Sequence, residues 1–171
     1  REECKDMGVT MTVLRPNAFF KDLTDHAFAA VQKDGRHTVL GDGSHRINPI
    51  SREDVASFIA DCVQNRRGGE FLMGGPDVMT FREIGVLAAK VIGNEQELQI
   101  RSIPLWFLRL MAVLLTLVGV FSRSMRCQAA LLHWMLYVST HDGIAPCCGK
   151  KRLIDEYKRK YEDYQRENKD N

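Results

Sequence analysis

The β-forming run from Gly8 to Arg15 ends at Pro16, and this ending constrains the fold more than any other feature of the sequence. Proline cannot donate a ladder hydrogen bond, so the chain is expected to leave the strand there. Val9, Met11, Val13 and Leu14 place apolar side chains on both faces of the run. That pattern fits a parallel strand covered by helices on each side. In an open parallel α/β sheet, ligands sit beyond the carboxyl ends of the strands. Pro16 to Phe20 is therefore where such a sheet presents a binding loop.

Elements follow in an order that extends this reading. Phe20 to Gln32 reads as a helix with Leu23, Ala27, Ala30 and Val31 at helical spacing and Gly35 as its stop. Thr38 to Leu40 is a short extended piece before the turn Gly41-Asp42-Gly43. Pro49 disfavours helix at Asn48. Ser51 then opens a helix whose stripe is Val55, Phe58, Ile59, Cys62 and Val63, with Asp54 completing a near capping box. Glu70 to Met73 reads as a strand turned by Gly74-Gly75-Pro76. Thr80 to Glu83 is a capping box opening a helix that Gly93 closes, and Leu98 to Ser102 is a third extended piece. The opening segment Glu2 to Gly8 resembles the last turns of a helix, so these residues are expected to be the later part of a longer polypeptide.

Beyond residue 102 the composition shifts. Leu105 to Phe121 and Cys127 to Val138 are apolar stretches separated by Arg123-Ser124-Met125-Arg126. A spanning helix needs roughly 20 apolar residues, and Arg109 interrupts the first stretch. The segment reads as a packed helical pair, with an interfacial or membrane-dipping hairpin as the alternative. Lys150 to Asn171 reads as a charged helix with Leu153, Tyr157, Tyr161 and Tyr164 as its apolar line, docking weakly or fraying at its end.

Several function classes are disfavoured. The net charge of +2 over 171 residues, with acidic and basic residues alternating, gives no reason to expect nucleic acid. The five cysteines are odd in number and irregularly spaced, which fits reduced thiols in an intracellular compartment, with the organelle open. Cys147-Cys148 beside Lys150-Lys151 is a candidate reactive pair or simply two loop cysteines. The five histidines are scattered, so no metal site is expected. There is no Gly-x-Gly-x-x-Gly, no Walker loop and no nucleophile elbow. No Tyr is followed four residues later by Lys: Tyr137 meets His141, Tyr157 meets Tyr161 and Tyr161 meets Gln165. No catalytic side chain is assigned.

Gly8 to Phe20, Gly41-Asp42-Gly43, Pro49 to Ala56 and Gly74-Gly75-Pro76 with Met79 to Ile84 together resemble the atypical short-chain dehydrogenase/reductases, the NmrA-like branch in particular. The resemblance covers roughly residues 1 to 105 and continues loosely through Thr140 to Pro146. It implies an α/β fold: the C-terminal portion of a Rossmann-type parallel sheet (1–102), then the apolar helical pair on the substrate side (103–149) and the charged helix (150–171). It implies NADP or NAD as cofactor, with Pro16, Asn17, Ala18 and Phe19 against the nicotinamide end. Arg46 and Asn48 would face a small-molecule substrate, although Arg46 also reads as a solvated loop charge and Asn17 as a turn-setter. Arg15 and Asp54 are expected to form a buried scaffold pair. The implied activity is hydride transfer to a small carbonyl or enone. A non-catalytic dinucleotide-binding redox sensor with a regulatory protein partner, and a membrane-associated scaffold contacting lipid through residues 105–138, are the alternatives.

Overall fold

Thr12 to Pro16 forms the first strand, β1, and it lies parallel to β4 (Gly69–Met73), with Thr12 opposite Gly69 and Pro16 opposite Met73. The computed structural model describes residues 9–119 and 122–169. Two compact units are present: residues 9–26, 47–79 and 144–169 form the first, and residues 27–46 and 80–143 the second.

In the first unit β1 starts later than expected, because β4 offers no partner before Gly69; Val9 and Met11 are exposed. Pro16 stays in the strand. The bond towards β4 at this point comes from the Asn17 amide, which donates to the Met73 carbonyl at 2.9 Å. The nitrogen that Pro16 lacks as a donor therefore falls on the other side of β1. α1 (Phe20–Leu23) follows and runs into a π-helical turn at Thr24–Phe28 before α2 (Ala29–Asp34). The expected single helix is thus interrupted. Thr24 is the cause we assign: its hydroxyl donates to the Phe20 carbonyl at 2.8 Å and competes with the regular ladder.

α3 (Arg52–Gln64) is capped by the Ser51 hydroxyl, which accepts from the Asp54 amide at 3.0 Å. Its Val55 joins Ile50 and Met73 in a buried cluster, with Leu14, Phe19, Phe58, Phe71 and Cys148 packed against it. Phe58 and Phe71 meet edge to face at 5.3 Å, and the Arg67 guanidinium lies over both rings. The expected Arg15–Asp54 pair does not form. Arg15 is exposed and pairs with Glu70. Asp54 instead accepts from the Lys150 and Lys151 amides, both at 3.0 Å.

Those two bonds, with the Arg152 guanidinium donating to Asp77 at 2.9 Å, fix the start of the last helix, α7 (Leu153–Glu167). Its docking is firmer than expected. Leu153 and Tyr157 are fully buried, and burial pushes the Tyr157 hydroxyl pKa upward. Only the far half is solvated, with Tyr161 half-buried and Tyr164 exposed.

The second unit holds β2 (Arg36–Leu40) parallel to β6 (Gln99–Ile103). The two-residue strands β3 (Arg46–Ile47) and β5 (Met79–Thr80) stand where the chain passes from one unit to the other. Gly35 ends α2 at φ 62°, a left-handed conformation that glycine adopts without strain. α4 (Phe81–Ile92) carries the expected capping box in full: Thr80 Oγ1 accepts from the Glu83 amide, and Glu83 accepts from the Thr80 amide. Buried His37 bonds through Nε2 to the Phe81 carbonyl at 2.8 Å, which requires the tautomer with the proton on Nε2. Gly85 makes room for that ring, since a Cβ there would stand 2.2 Å from it.

α5 (Leu105–Val118) and α6 (Arg123–Val138) pack against each other as a helical pair. Leu108 and Ala112 of α5 and Ala129 of α6 are buried. Among the described residues no helix is long and apolar enough to cross a membrane. The reading of Glu2 to Gly8 as a helix end, Cys4, and the Val120-Phe121 end of the first apolar stretch lie outside the described residues.

Candidate functional site

Three segments of the first unit converge beyond the carboxyl ends of β1 and β4. The loop Asn17 to Phe19 leaves β1 and pairs with the segment before α3. Ala18 accepts from the Ile50 amide at 2.8 Å, and the Phe20 amide donates to Ile50 at 3.2 Å. Gly74 and Gly75 leave β4, and Gly74 forms a parallel bridge with Cys147. Its amide donates to Pro146 at 2.9 Å, and its carbonyl accepts from the Cys148 and Gly149 amides.

Asn48 sits at the junction and is 2% exposed. Its side-chain oxygen accepts from the Asn17 side-chain amide and from the Ala145 backbone amide, both at 2.9 Å. Its Nδ2 donates to the Ala145 carbonyl at 2.7 Å and the Gly75 carbonyl at 3.2 Å. The Asn48 carbonyl accepts from the Gly75 amide at 3.1 Å. Four side-chain bonds hold one amide in one orientation. An Asn supplies both a donor and an acceptor, and a carboxylate could not make the two donor contacts.

The two glycines are required by proximity. A Cβ on Gly74 would come within 2.1 Å of Asn48 Nδ2, and one on Gly75 within 1.9 Å of the Pro49 carbonyl oxygen. Read as sequence, Gly74-Gly75 signals only a turn; the close approach depends on the distant Asn48. Ala145 is a partner that no spacing rule points to, since it lies 97 residues from Asn48.

Of the residues expected to form the site, Pro16, Asn17, Ala18, Phe19 and Asn48 are thus brought together. The Ala18 and Phe19 amides donate to no backbone carbonyl among the described residues. They are backbone donors beyond the carboxyl end of a parallel strand. The Asn48 side chain is directed to protein partners, which makes it a positioning residue for the Asn17 loop.

Arg46 lies in the second unit. Its Nε and Nη2 donate to Asp142 Oδ2 at 3.0 and 2.8 Å, and its backbone amide donates to Asp142 Oδ1 at 2.8 Å. The Arg46 amide, then its guanidinium, hold the Asp142 carboxyl below the usual range. His45 adds a 3.6 Å contact to the same carboxylate. The Arg46 charge is therefore already matched within its own unit.

A separate open groove of about 560 Å³ runs along the amino-terminal half of β1 and the end of α3, lined by Thr10, Thr12, Leu14, Ile59, Cys62 and Arg67 among others. It lies at the opposite end of β1 from the Asn17 loop. Among the described residues no cluster of His, Cys, Asp or Glu is placed to hold a metal.

No family profile matches the chain. It is 38% identical over 98 residues to the chloroplastic divinyl chlorophyllide a 8-vinyl-reductase of Arabidopsis thaliana, covering 54% of this chain and 23% of that protein. The Zea mays protein of the same name is 34% identical over 117 residues, covering 63% and 29%. The chain thus spans about a quarter of the length of these relatives. Among solved structures it is similar to the NADP-bound GDP-mannoheptose C4 reductase MlghC of Campylobacter jejuni, with TM-score 0.56 and 12% identity over 96% of this chain and 52% of that one. It is also similar to the NAD-bound dTDP-glucose 4,6-dehydratase DesIV of Streptomyces venezuelae, with TM-score 0.51 and 18% identity over 60% and 34%. These likenesses show the fold: mixed α/β with parallel strands, of the Rossmann type found in NAD(P)-binding reductases.

Proposed function

We propose that this chain is the substrate-side part of an NAD(P)-dependent reductase whose reaction is saturation of a vinyl group on a chlorophyllide macrocycle. The observation that carries the reading is the 38% identity over 98 residues to an 8-vinyl-reductase. The loop geometry supports it, because Ala18 and Phe19 leave amides beyond the carboxyl end of β1, where a nicotinamide carboxamide would be received. The dinucleotide would supply the hydride. A hydride added to one vinyl carbon and a proton to the other turn the vinyl group into an ethyl group and leave NAD(P)⁺. This chain's part is to fix the loop that orients the ring, through Asn48, Gly74 and Gly75.

The test uses the full-length protein that contains this chain, incubated with divinyl chlorophyllide a and either NADPH or NADH. The expected result is a product heavier by two hydrogens, formed with oxidation of the dinucleotide. Turnover on carbonyl or enone substrates alone would move the reading to that substrate class. Dinucleotide binding with no turnover on any of them would favour the redox-sensor reading.

A further inference from the structure

The α5–α6 pair turns apolar side chains outward on the face opposite its packed one. Along α5, Trp106, Leu110, Val113 and Leu117 follow at helical spacing and are all exposed, Trp106 by 67% and Leu117 by 63%. Leu108 and Ala112, on the other side of the same helix, are buried. Along α6, Leu131, Trp134 and Tyr137 are exposed while Ala129 is buried. Thr116 of α5 reaches His133 of α6 at 3.3 Å, so the two helices are tied to each other as well as packed. Isolated apolar residues on a surface need no account, but two packed helices presenting such faces do.

Charge says what covers them. From Leu98 to His141 the sequence has four arginines and no aspartate or glutamate. Arg109, Arg123 and Arg126 all lie on the pair and are exposed. An apolar face with aromatic residues, flanked by cations alone, matches an anionic lipid surface: the side chains enter the boundary of headgroups and acyl chains while the arginines meet lipid phosphates. Neither helix is long enough to cross, so the pair lies in the plane of the membrane. We propose that the outward face of α5 and α6 docks on an anionic bilayer surface.

These 171 residues carry their own probe, because Trp106 and Trp134 are the only two tryptophans among them and both are exposed on the pair. The full-length protein that contains this chain, with the 171-residue chain beside it, would be titrated with vesicles of equimolar phosphatidylglycerol and phosphatidylcholine, and separately with phosphatidylcholine alone. The expected result is a blue shift of tryptophan emission and co-sedimentation with the anionic vesicles, both reversed by salt. Arg109→Gln and Arg123→Gln each reduce partitioning by about fivefold, and Leu110→Glu with Leu117→Glu abolishes it. Circular dichroism melts matching the parent chain show that these exposed positions leave the fold intact. No shift on either vesicle, or equal binding to both, would overturn the proposal. So would a blue shift that appears without lipid, grows with protein concentration and accompanies a dimer in sedimentation, which would assign the face to a second copy of the chain. The parent chain on the two vesicle types decides the matter whatever the variants do.

Discussion

Asn48 lies buried at a point where three backbone segments end, and each of its polar side-chain atoms is used twice. Removing the amide leaves the buried Gly75 carbonyl and the half-buried Ala145 amide and carbonyl without these partners. Each buried group left unsatisfied costs about 1–3 kcal/mol. Asn48→Ala is therefore expected to lower stability by about 3 kcal/mol or more, read as a lowered urea midpoint with an unchanged slope. His37 makes a second prediction at this scale. Burial disfavours its charged form and lowers its pKa below the ordinary 6.5, against the opposing effect of the Phe81 carbonyl. The unfolded chain thus takes up this proton at a higher pH than the folded one. The contribution is complete above pH 6.5 and is lost as pH falls through that value toward the lower folded one. Urea midpoints measured between pH 7.5 and 5.5 should fall, and the fall should be smaller in His37→Gln, whose amide keeps a donor for Phe81. Neither role was legible in the sequence. Asn48 was singled out for its position near the cleft, but its partners come from residues 17, 75 and 145, and no local pattern announces such a meeting.

Elements were more legible, because most are set by neighbours in the chain. The Thr80–Glu83 box and the Gly35 and Gly93 stops act within one turn, and the structure places each where the sequence does. The helix after Phe19 was misread for the same reason: periodicity reports apolar spacing, and the Thr24 hydroxyl that widens the turn leaves that spacing nearly intact. α7 was misread for a different reason. Its stripe of Leu153, Tyr157, Tyr161 and Tyr164 is thin, but its entry is fixed from afar by Asp54 and Asp77. The first half is core and the second half is surface. Truncating Tyr157 to Ala removes a large, fully buried ring and is expected to cost about 3–5 kcal/mol. Tyr164→Ala, at an exposed position, should stay within about 0.5 kcal/mol. Thermal melts of the two variants distinguish this from a uniformly weak docking, in which both losses would be small.

At the scale of the whole molecule, what the chain can hold by itself follows from which contacts it owns. The Asn17 loop offers the Ala18 and Phe19 amides, and net stabilisation from an ordinary hydrogen bond is about 1 kcal/mol. Association costs about 4 kcal/mol or more in lost translational and rotational freedom. Tight dinucleotide binding in such folds draws on the pyrophosphate, received by a glycine-rich turn at a helix N-terminus. None of the 171 residues forms that motif: Gly41 and Gly43 have the first spacing but sit on a turn after β2, with Arg46 where a third glycine would be needed. Two amides cannot offset the cost alone. The 171-residue chain is therefore expected to bind NADPH or NADH with a Kd no tighter than about 1 mM, equivalent to about 4 kcal/mol. Isothermal titration measures it directly. Saturable micromolar binding would mean that this chain contains a phosphate site of its own, which its glycines do not suggest. The full-length protein, tested in the same way, should bind at least tenfold more tightly, and Asn48→Ala in that protein should weaken binding through the displaced Asn17 loop.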